Sequence, residues 1–155
     1  LLGFFGCIKA FTEFGLDRRI GTIGLSASDK AKQVIGVEIN RDAVNDAIAN
    51  ARLNGVKNCW FTVGDAGKYM EQMAADKVKP DIVFMDPPRA GSDERFLSSL
   101  LKCAPKRIVY ISCNIDTQRR DLDVLLSGGY KLRRIQPVDM FPYTEHIECV
   151  VMLEK

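Results

Sequence analysis

Short apolar runs alternate along this chain with stretches in which apolar residues recur every three or four positions. The run Gln33–Glu38 predicts a buried strand, and Asn40 can cap the helix that follows it. That helix is expected to continue until Asn54-Gly55 ends it. Its apolar positions at helical spacing are Val44, Ala47, Ile48 and Ala51.

The same alternation continues to the end of the chain. Further strands are predicted over residues 58–63, 81–86 and 107–112, and helices over 66–75 and 93–103. Thr117 can cap another helix, which runs to Ser127 before Gly128-Gly129. The last two predicted strands, near 131–137 and 148–153, have no helix between them, so we expect an antiparallel hairpin at one edge of the sheet.

Strands that alternate with helices predict an α/β domain with a mainly parallel sheet. The 155 residues, 46% hydrophobic and 27% charged, suit one globular domain. No apolar run reaches the roughly 20 residues that span a bilayer. The apolar opening Leu1–Ile8 has no basic residue before it and no clear cleavage site. We interpret it as a cut edge or a buried segment, and expect a cytoplasmic protein.

Charge and cysteine content exclude only a few classes of protein. A net charge of +2 is too small to indicate a nucleic-acid partner, although basic residues cluster at 102–107, 119–120 and 131–134. The five cysteines include no C-x-x-C pair, which argues against a disulfide framework or a metal site. We therefore expect reduced thiols and no metal.

Acidic residues follow the predicted strands, where ligands of open parallel sheets bind. Glu38 can accept hydrogen bonds from an adenosine ribose, or can be an acid stabilised by a helix N-terminus. Asp65 could contact adenine, but helix capping is the simpler interpretation. The stretch Gly21–Leu25 resembles the end of a glycine-rich cofactor loop, which alone is a weak signal.

The segment Asp86-Pro87-Pro88-Arg89 is more specific. Two prolines directly after a buried strand fix the chain and hold Asp86 at the sheet edge, which suits hydrogen bonding to a base or cofactor. A plain turn is the alternative. Arg89 could contact a phosphate or could simply be exposed.

Two groups suited to covalent catalysis lie near the C terminus. Cys113 follows a predicted strand and precedes a helix, where a thiol can become a nucleophile, although local sequence alone favours a buried structural cysteine. Glu148, at the start of the last strand, could act as a base or form a surface ion pair. His146 could be a base or a packing residue of the loop.

These segments together resemble the S-adenosylmethionine-dependent RNA uracil-5-methyltransferases, which make 5-methyluridine in transfer and ribosomal RNA. The resemblance covers about residues 21–153. The matching segments are Gly21–Leu25, Val34–Glu38, Asn50–Gly55, Asp86–Gly91, Val109–Asn114, and Asp139–Pro142 through to His146-Ile147-Glu148.

The resemblance implies a Rossmann-like class I methyltransferase fold, with helices on both faces of the sheet and an antiparallel C-terminal strand. It implies that Cys113 attacks uracil C6 and that Glu148 removes the C5 proton. It further implies S-adenosylmethionine as cofactor and a uridine-containing RNA loop as partner. We also expect a monomer, since nothing in the sequence demands an oligomer. The implied cofactor contacts are Thr22, Glu38, Asp65 and Asp86; weaker candidates for RNA contacts are Arg89, Arg119 and Arg120.

The N-terminal part departs from the family pattern. The family has a strand and loop of the form Asp-x-Tyr/Phe-Cys-Gly-x-Gly before Thr-Ile-Gly-Leu, whereas Leu16–Gly21 lacks the aromatic residue and the first glycine. We expect residues 1–155 to form a single catalytic domain, with 1–20 atypical or incomplete. We do not expect residues 1–155 to include the family's central and RNA-binding domains, and we expect little activity from this domain alone.

Two other functions stay open. A methyltransferase acting on amino groups usually has Asn/Asp-Pro-Pro-Tyr/Phe, but Arg89 replaces that aromatic residue and Cys113 would have no role. A degenerate RNA-binding remnant without activity is favoured by the altered residues 16–21.

Overall fold

The computed structural model describes the backbone of residues 9–13 and the full residues 21–140 and 142–155. The strands are β1 Lys9–Glu13, β2 Gln33–Glu38, β3 Cys59–Val63, β4 Ile82–Met85, β5 Arg107–Ser112, β6 Lys131–Val138 and β7 Glu148–Glu154. The helices are α1 Thr22–Ala27, α2 Arg41–Leu53, α3 Ala66–Ala75, α4 Glu94–Cys103 and α5 Ile115–Ser127, and a 3₁₀ turn spans Ser28–Lys30.

The strands form one sheet in the order β3-β2-β1-β4-β5-β7-β6. The first five strands of this order are parallel, while β7 is antiparallel to both β5 and β6. The predicted hairpin of the last two strands is therefore confirmed, with β6 at the edge. Strand order reverses between β1 and β4, and ligands bind at such a switch point beyond the carboxyl ends of the strands. The α/β, Rossmann-like prediction is confirmed.

Side-chain caps explain why four of the helices begin where they do. Asn40, Asp65, Asp93 and Asn114 each accept a hydrogen bond from a backbone N–H in the first turn of α2, α3, α4 and α5 respectively. Capping of this kind satisfies donors that have no partner within the helix. The prediction that Thr117 caps α5 is wrong, because Asn114 does so three residues earlier.

Strand β1 was not predicted from the pattern. Lys9–Glu13 has charged residues at both ends and only three residues between them, so it lacks the apolar run that marks the other central strands. It nevertheless pairs with β2 on one side and β4 on the other. The remaining residues of the atypical stretch, 1–8 and 14–20, lie outside the described part of the chain.

The core lies between the sheet and the helices that pack on it. Its fully buried side chains include Met70, Met85, Phe96, Leu100, Ile108, Tyr110, Leu125 and Leu153. This core fixes the strand ends that carry the polar residues discussed below. Among the described residues, no helix has both the length and the apolar character needed to cross a membrane.

Candidate active site

A cleft of about 390 Å³ opens beyond the ends of β2 and β3, beside the loop that follows β4. It is lined by Val37, Glu38, Ile39, Gly64, Asp65, Ala66, Gly67, Pro88, Gly91, Ser92, Asp93 and Phe96. Two of the predicted cofactor contacts, Glu38 and Asp65, therefore share one cleft. The cleft lies where the reversal of strand order places a ligand site.

Glu38 is a buried carboxylate at the end of β2 and is only 5% exposed. Its Oε1 accepts a hydrogen bond of 2.7 Å from the backbone N–H of Asn40. Burial raises the pKa of Glu38, while hydrogen bonds from the backbone of Asn40 and Ile39 act in the opposite direction. Asn40, not Glu38, caps the helix. Glu38 is thus a partly desolvated acceptor on the cleft wall.

Asp65 both caps α3 and lines the cleft. Its Oδ1 accepts a hydrogen bond of 2.8 Å from the backbone N–H of Lys68. Gly67 lies beside it, where an added Cβ would be 3.1 Å from Asp65 Oδ1 and 3.4 Å from Asp93 Oδ2. The absence of a side chain at Gly67 keeps this floor of the cleft open between two carboxylates.

The glycine-rich segment enters a helix, as predicted. Gly21 precedes α1 with φ +70°, and a Cβ there would be 2.8 Å from Ala47 Cβ. Only glycine combines that backbone with so close an approach to α2. Thr22 is exposed in the first turn of α1, and residues 14–20 lie outside the described part of the chain.

The loop after β4 carries the proline pair. Asp86 is half-buried, Pro87 is buried, and a turn is closed by a hydrogen bond of 2.8 Å from Gly91 N to Pro88 O. The carbonyl of Arg89 accepts hydrogen bonds from Asn114 Nδ2 at 3.0 Å and from Thr117 Oγ1 at 3.1 Å. Thr117 therefore ties this loop to the start of α5 instead of capping the helix.

Cys113 and Glu148 lie at the same end of adjacent strands. The last paired residues of β5 and β7 at this end are Ser112 and Cys149, and Cys113 and Glu148 are the next residues outward. Cys113 directly follows β5, and Glu148 is the first residue of β7. Glu148 is 4% exposed, and the thiol of Cys113 is half-buried. Residues 35 positions apart in sequence are thereby neighbours.

The loop before β7 reaches back to the proline pair. His146 Nδ1 lies 3.2 Å from Arg89 Nη2, and the guanidinium can donate to the ring when the proton is on Nε2. Both side chains are exposed. This contact joins the segment that carries Glu148 to the one that carries Asp86.

The two candidate RNA-binding arginines of α5 differ in their surroundings. Arg119 is exposed. Arg120 binds Asp121 and also donates to the carbonyls of Ala90 and Ser92, both at 3.1 Å. Its guanidinium is therefore engaged within the protein, although the side chain keeps 57% of its area exposed.

Two further buried polar residues of α5 were missed by sequence reasoning. Gln118, 2% exposed, donates to the carbonyls of Tyr110 and Cys149 and so joins β5 to β7 next to Glu148. Asp121 is fully buried and holds the loop after β4. Their spacing of three residues places them on one helical face. This spacing is a signal in the sequence that could have identified them.

The other described cysteines are suited to packing. Burial raises the pKa of Cys59, Cys103 and Cys149, which disfavours their thiolates. Within residues 21–140 and 142–155, no group of three or more His, Cys, Asp or Glu side chains is arranged to hold a metal ion. Cys7 lies outside the described residues.

Comparison with known proteins identifies the family. The family model described as tRNA (uracil-5-)-methyltransferase matches residues 16–155. The chain belongs to this family. An uncharacterized RNA methyltransferase of Halalkalibacterium halodurans is 53% identical over 135 residues, and one of Oceanobacillus iheyensis is 47% identical over 134. These matches cover 87% and 86% of the chain, but only 30% and 29% of the relatives.

One solved structure agrees with this family, and a second shares only the fold. The tRNA (uracil-54, C5)-methyltransferase of Pyrococcus abyssi, solved in complex with S-adenosyl-L-homocysteine, superposes with a TM-score of 0.77 at 32% identity. The match covers 96% of this chain and 34% of that one. A SAM-dependent methyltransferase from Agrobacterium tumefaciens has a TM-score of 0.73 at 15% identity, covers 96% of this chain and 56% of its own, and shows the shared fold alone.

Proposed function

We propose that the protein transfers a methyl group from S-adenosylmethionine to C5 of a uridine in transfer or ribosomal RNA, through a covalent adduct of Cys113. The main support is that Cys113 directly follows β5 and Glu148 begins the adjacent strand β7, at the same end of the sheet and beside the loop that lines the cleft. A nucleophile and a buried carboxylate at adjoining positions suit a reaction that needs one group to attack and another to remove a proton.

The chemistry explains why both groups are needed. Uracil C5 is a weak nucleophile, so the Cys113 thiolate first bonds to C6 and pushes the electron pair of the C5–C6 double bond towards C5. The C5 carbon then bonds to the methyl carbon as the bond from that carbon to sulfur breaks. Glu148 removes the C5 proton, the double bond re-forms, and Cys113 leaves as thiolate.

The methyl donor is assigned to the cleft at the ends of β2 and β3. When bound, S-adenosylmethionine supplies an electrophilic methyl group on a sulfonium. The cleft fits its adenosine part, because Glu38 offers a buried acceptor for ribose hydroxyls and Asp65 lies on the same wall. Asp86, in the loop between the cleft and Cys113, is proposed to contact donor or base, and Thr22 the cofactor loop.

The RNA is proposed to approach over the loops that join the two catalytic residues. Arg89 and Arg119 are exposed and available for phosphate contacts, whereas Arg120 contributes through its exposed surface and its hold on the loop. A base within a stack cannot reach a half-buried thiol, so the target uridine must be turned out of its stack. Recognition of a loop by its shape is the expected mode.

Trapping with 5-fluorouridine tests the proposal directly. Fluorine at C5 cannot be removed as a proton, so the methylated adduct stays attached to the protein. We expect the full-length protein, incubated with 5-fluorouridine-containing RNA and S-adenosylmethionine, to form a complex that survives denaturing electrophoresis. The complex should be absent from Cys113→Ala and retained by the matched control Cys59→Ala.

Loss of the base gives a second, independent signature. Glu148→Gln should stall the natural reaction after methyl transfer. The protein should then stay attached to RNA that contains ordinary uridine in place of 5-fluorouridine. Absence of any adduct with competent RNA and cofactor would exclude uracil C5 chemistry. Methylation of an amino group without an adduct would support the amino-group alternative, and RNA binding without cofactor binding would support the inactive remnant.

A further inference from the structure

Asp121 is a carboxylate of α5 that is completely buried, at 0% exposure. Its Oδ2 accepts hydrogen bonds from the backbone N–H of Ser92 at 2.7 Å and from the Tyr110 hydroxyl at 2.8 Å. Its Oδ1 accepts from Arg120 Nε at 2.9 Å and from Arg120 Nη2 at 2.7 Å. Each oxygen of the carboxylate therefore accepts two hydrogen bonds.

These contacts fix a short piece of backbone in the loop after β4. Arg120 Nη2 also donates to the carbonyls of Ala90 and Ser92. Gly91, between them, has φ +80°, and a Cβ there would be 2.5 Å from Arg120 Nη2 and 2.9 Å from Asp121 Oδ2. The backbone of residues 90–92 is thus held against α5 with no space for a side chain at Gly91.

The same backbone forms part of the cleft. Gly91, Ser92 and Asp93 line it together with Glu38 and Asp65. Ser92 is 7% exposed, and within residues 21–140 and 142–155 its Oγ is the one buried side-chain oxygen or nitrogen atom without a hydrogen-bond partner. A polar group left unsatisfied beside a cleft is a position where a bound ligand can supply the missing partner.

We propose that Asp121 is a positioning residue, which holds the backbone of residues 90–92 in the conformation that the methyl donor requires without touching the donor itself. The inference rests on the proposed function, because it takes the cleft to be the site of S-adenosylmethionine. Asp121 links this wall to Tyr110 on β5, the strand that Cys113 directly follows. Asp121 thereby fixes the position of the cleft wall formed by residues 90–92 relative to Cys113.

The geometry requires a carboxylate and not an amide. An asparagine side chain has one acceptor oxygen and one NH₂ group, which only donates. Turned either way, Asp121→Asn would direct an NH₂ at Arg120 or at the N–H of Ser92, and neither of these groups can accept a hydrogen bond. The variant keeps the shape of the side chain but loses the hydrogen bonds accepted by one of its two oxygens, which weakens its hold on the loop.

The test compares Asp121→Asn with Asp123→Asn, an exposed residue of the same helix. Affinity for S-adenosylhomocysteine is measured by calorimetry, or by NMR titration where binding is weak. We expect Asp121→Asn to raise Kd by at least about tenfold and the control by less than about twofold. RNA affinity, measured by fluorescence anisotropy, should fall by a smaller factor than cofactor affinity in Asp121→Asn and stay unchanged in Asp123→Asn, since general loss of structure would lower both affinities alike.

Gly91→Ala provides a second route to the same backbone and decides the question if Asp121→Asn does not fold. Its methyl group would push the loop away from Arg120 and Asp121, so the same selective loss of cofactor affinity is expected. Unaltered S-adenosylhomocysteine affinity in the folded variants, or parallel loss of RNA affinity, would overturn the positioning role. Failure of the unmodified protein to bind S-adenosylhomocysteine would instead overturn the proposed function.

Discussion

At the residue scale, the burial of the Glu38 carboxylate opposes stability at the position proposed to bind the cofactor ribose. A carboxylate that is 5% exposed is stripped of much of its water, and two backbone hydrogen bonds compensate only in part, since burial is the largest influence on its pKa. Such a group is costly in the free protein, and hydrogen bonds donated by ribose hydroxyls, as proposed, would offset that cost. Asp121 differs, because its partners lie within the protein.

Glu38→Gln should therefore separate stability from binding. Because the folded-state pKa is raised above the unfolded value, this side chain favours folding while protonated, at low pH, and that contribution is lost as pH rises through the folded pKa. At pH 7 we expect the free energy of unfolding to stay the same or rise by up to about 1 kcal/mol. Affinity for S-adenosylhomocysteine should fall about 10- to 100-fold.

Chemical denaturation and calorimetry check the two parts of this expectation. Glu71→Gln, on the exposed side of α3, is the matched control and should change neither quantity. A large loss of stability in Glu38→Gln, or unchanged cofactor affinity, would show that the carboxylate supports the fold and not the ligand.

At the element scale, side chains as well as backbone hydrogen bonds join the three C-terminal strands β5, β6 and β7. Glu154 of β7 binds Arg107 of β5 on one side and Arg133 of β6 on the other. The hydrogen bond from Arg107 is the main cause of the lowered pKa of Glu154. This bridge lies at the end of β7 opposite Glu148, so it secures the strand that carries the proposed base.

Acid should weaken this bridge. A folded-state pKa below the unfolded value of about 4.3 means that the ionised form favours folding above that pH, and that the contribution disappears as pH falls through the lower folded pKa. We expect Glu154→Gln to lose stability at pH 7 and to lose less than the unmodified protein on acidification from pH 5 to pH 3. Urea unfolding at these pH values, with Glu71→Gln as control, measures both; equal acid sensitivity would contradict the prediction.

At the scale of the whole molecule, the cleft draws its walls from several elements. Glu38 ends β2, Asp65 follows β3, and the Gly91–Asp93 wall is held by α5. A ligand that binds all three walls binds only the folded state. Binding of this kind stabilises the fold by mass action.

S-Adenosylhomocysteine should therefore raise the melting temperature of the protein. At a free concentration of 100 times Kd, the expected stabilisation is about 2.7 kcal/mol. Differential scanning calorimetry over a ligand series measures it, and Glu38→Gln should show a smaller shift at equal concentration. A melting temperature that does not change at saturating ligand would argue against a site in this cleft.

Local pattern by itself determined most of the elements. Apolar runs and helical spacing located β2 and α2, and the polar residues Asn40 and Asp65 marked helix starts, because caps and periodicities depend on neighbours within a few residues. The segments around Asp86 and Cys113 also indicated the family, and the family match bears this out. The pattern failed for β1, whose place in the sheet depends on its two neighbouring strands.

Tertiary structure alone decided what the site contains. Insertion of β7 between β5 and β6 brings Glu148 next to Cys113, and packing of α5 on the loop after β4 gives Asp121 its partners. Neither contact has a signature in local sequence, because strand pairing and buried hydrogen bonds join residues that are far apart along the chain. The residue types with the right chemistry were therefore readable from sequence, whereas their arrangement required the folded sheet.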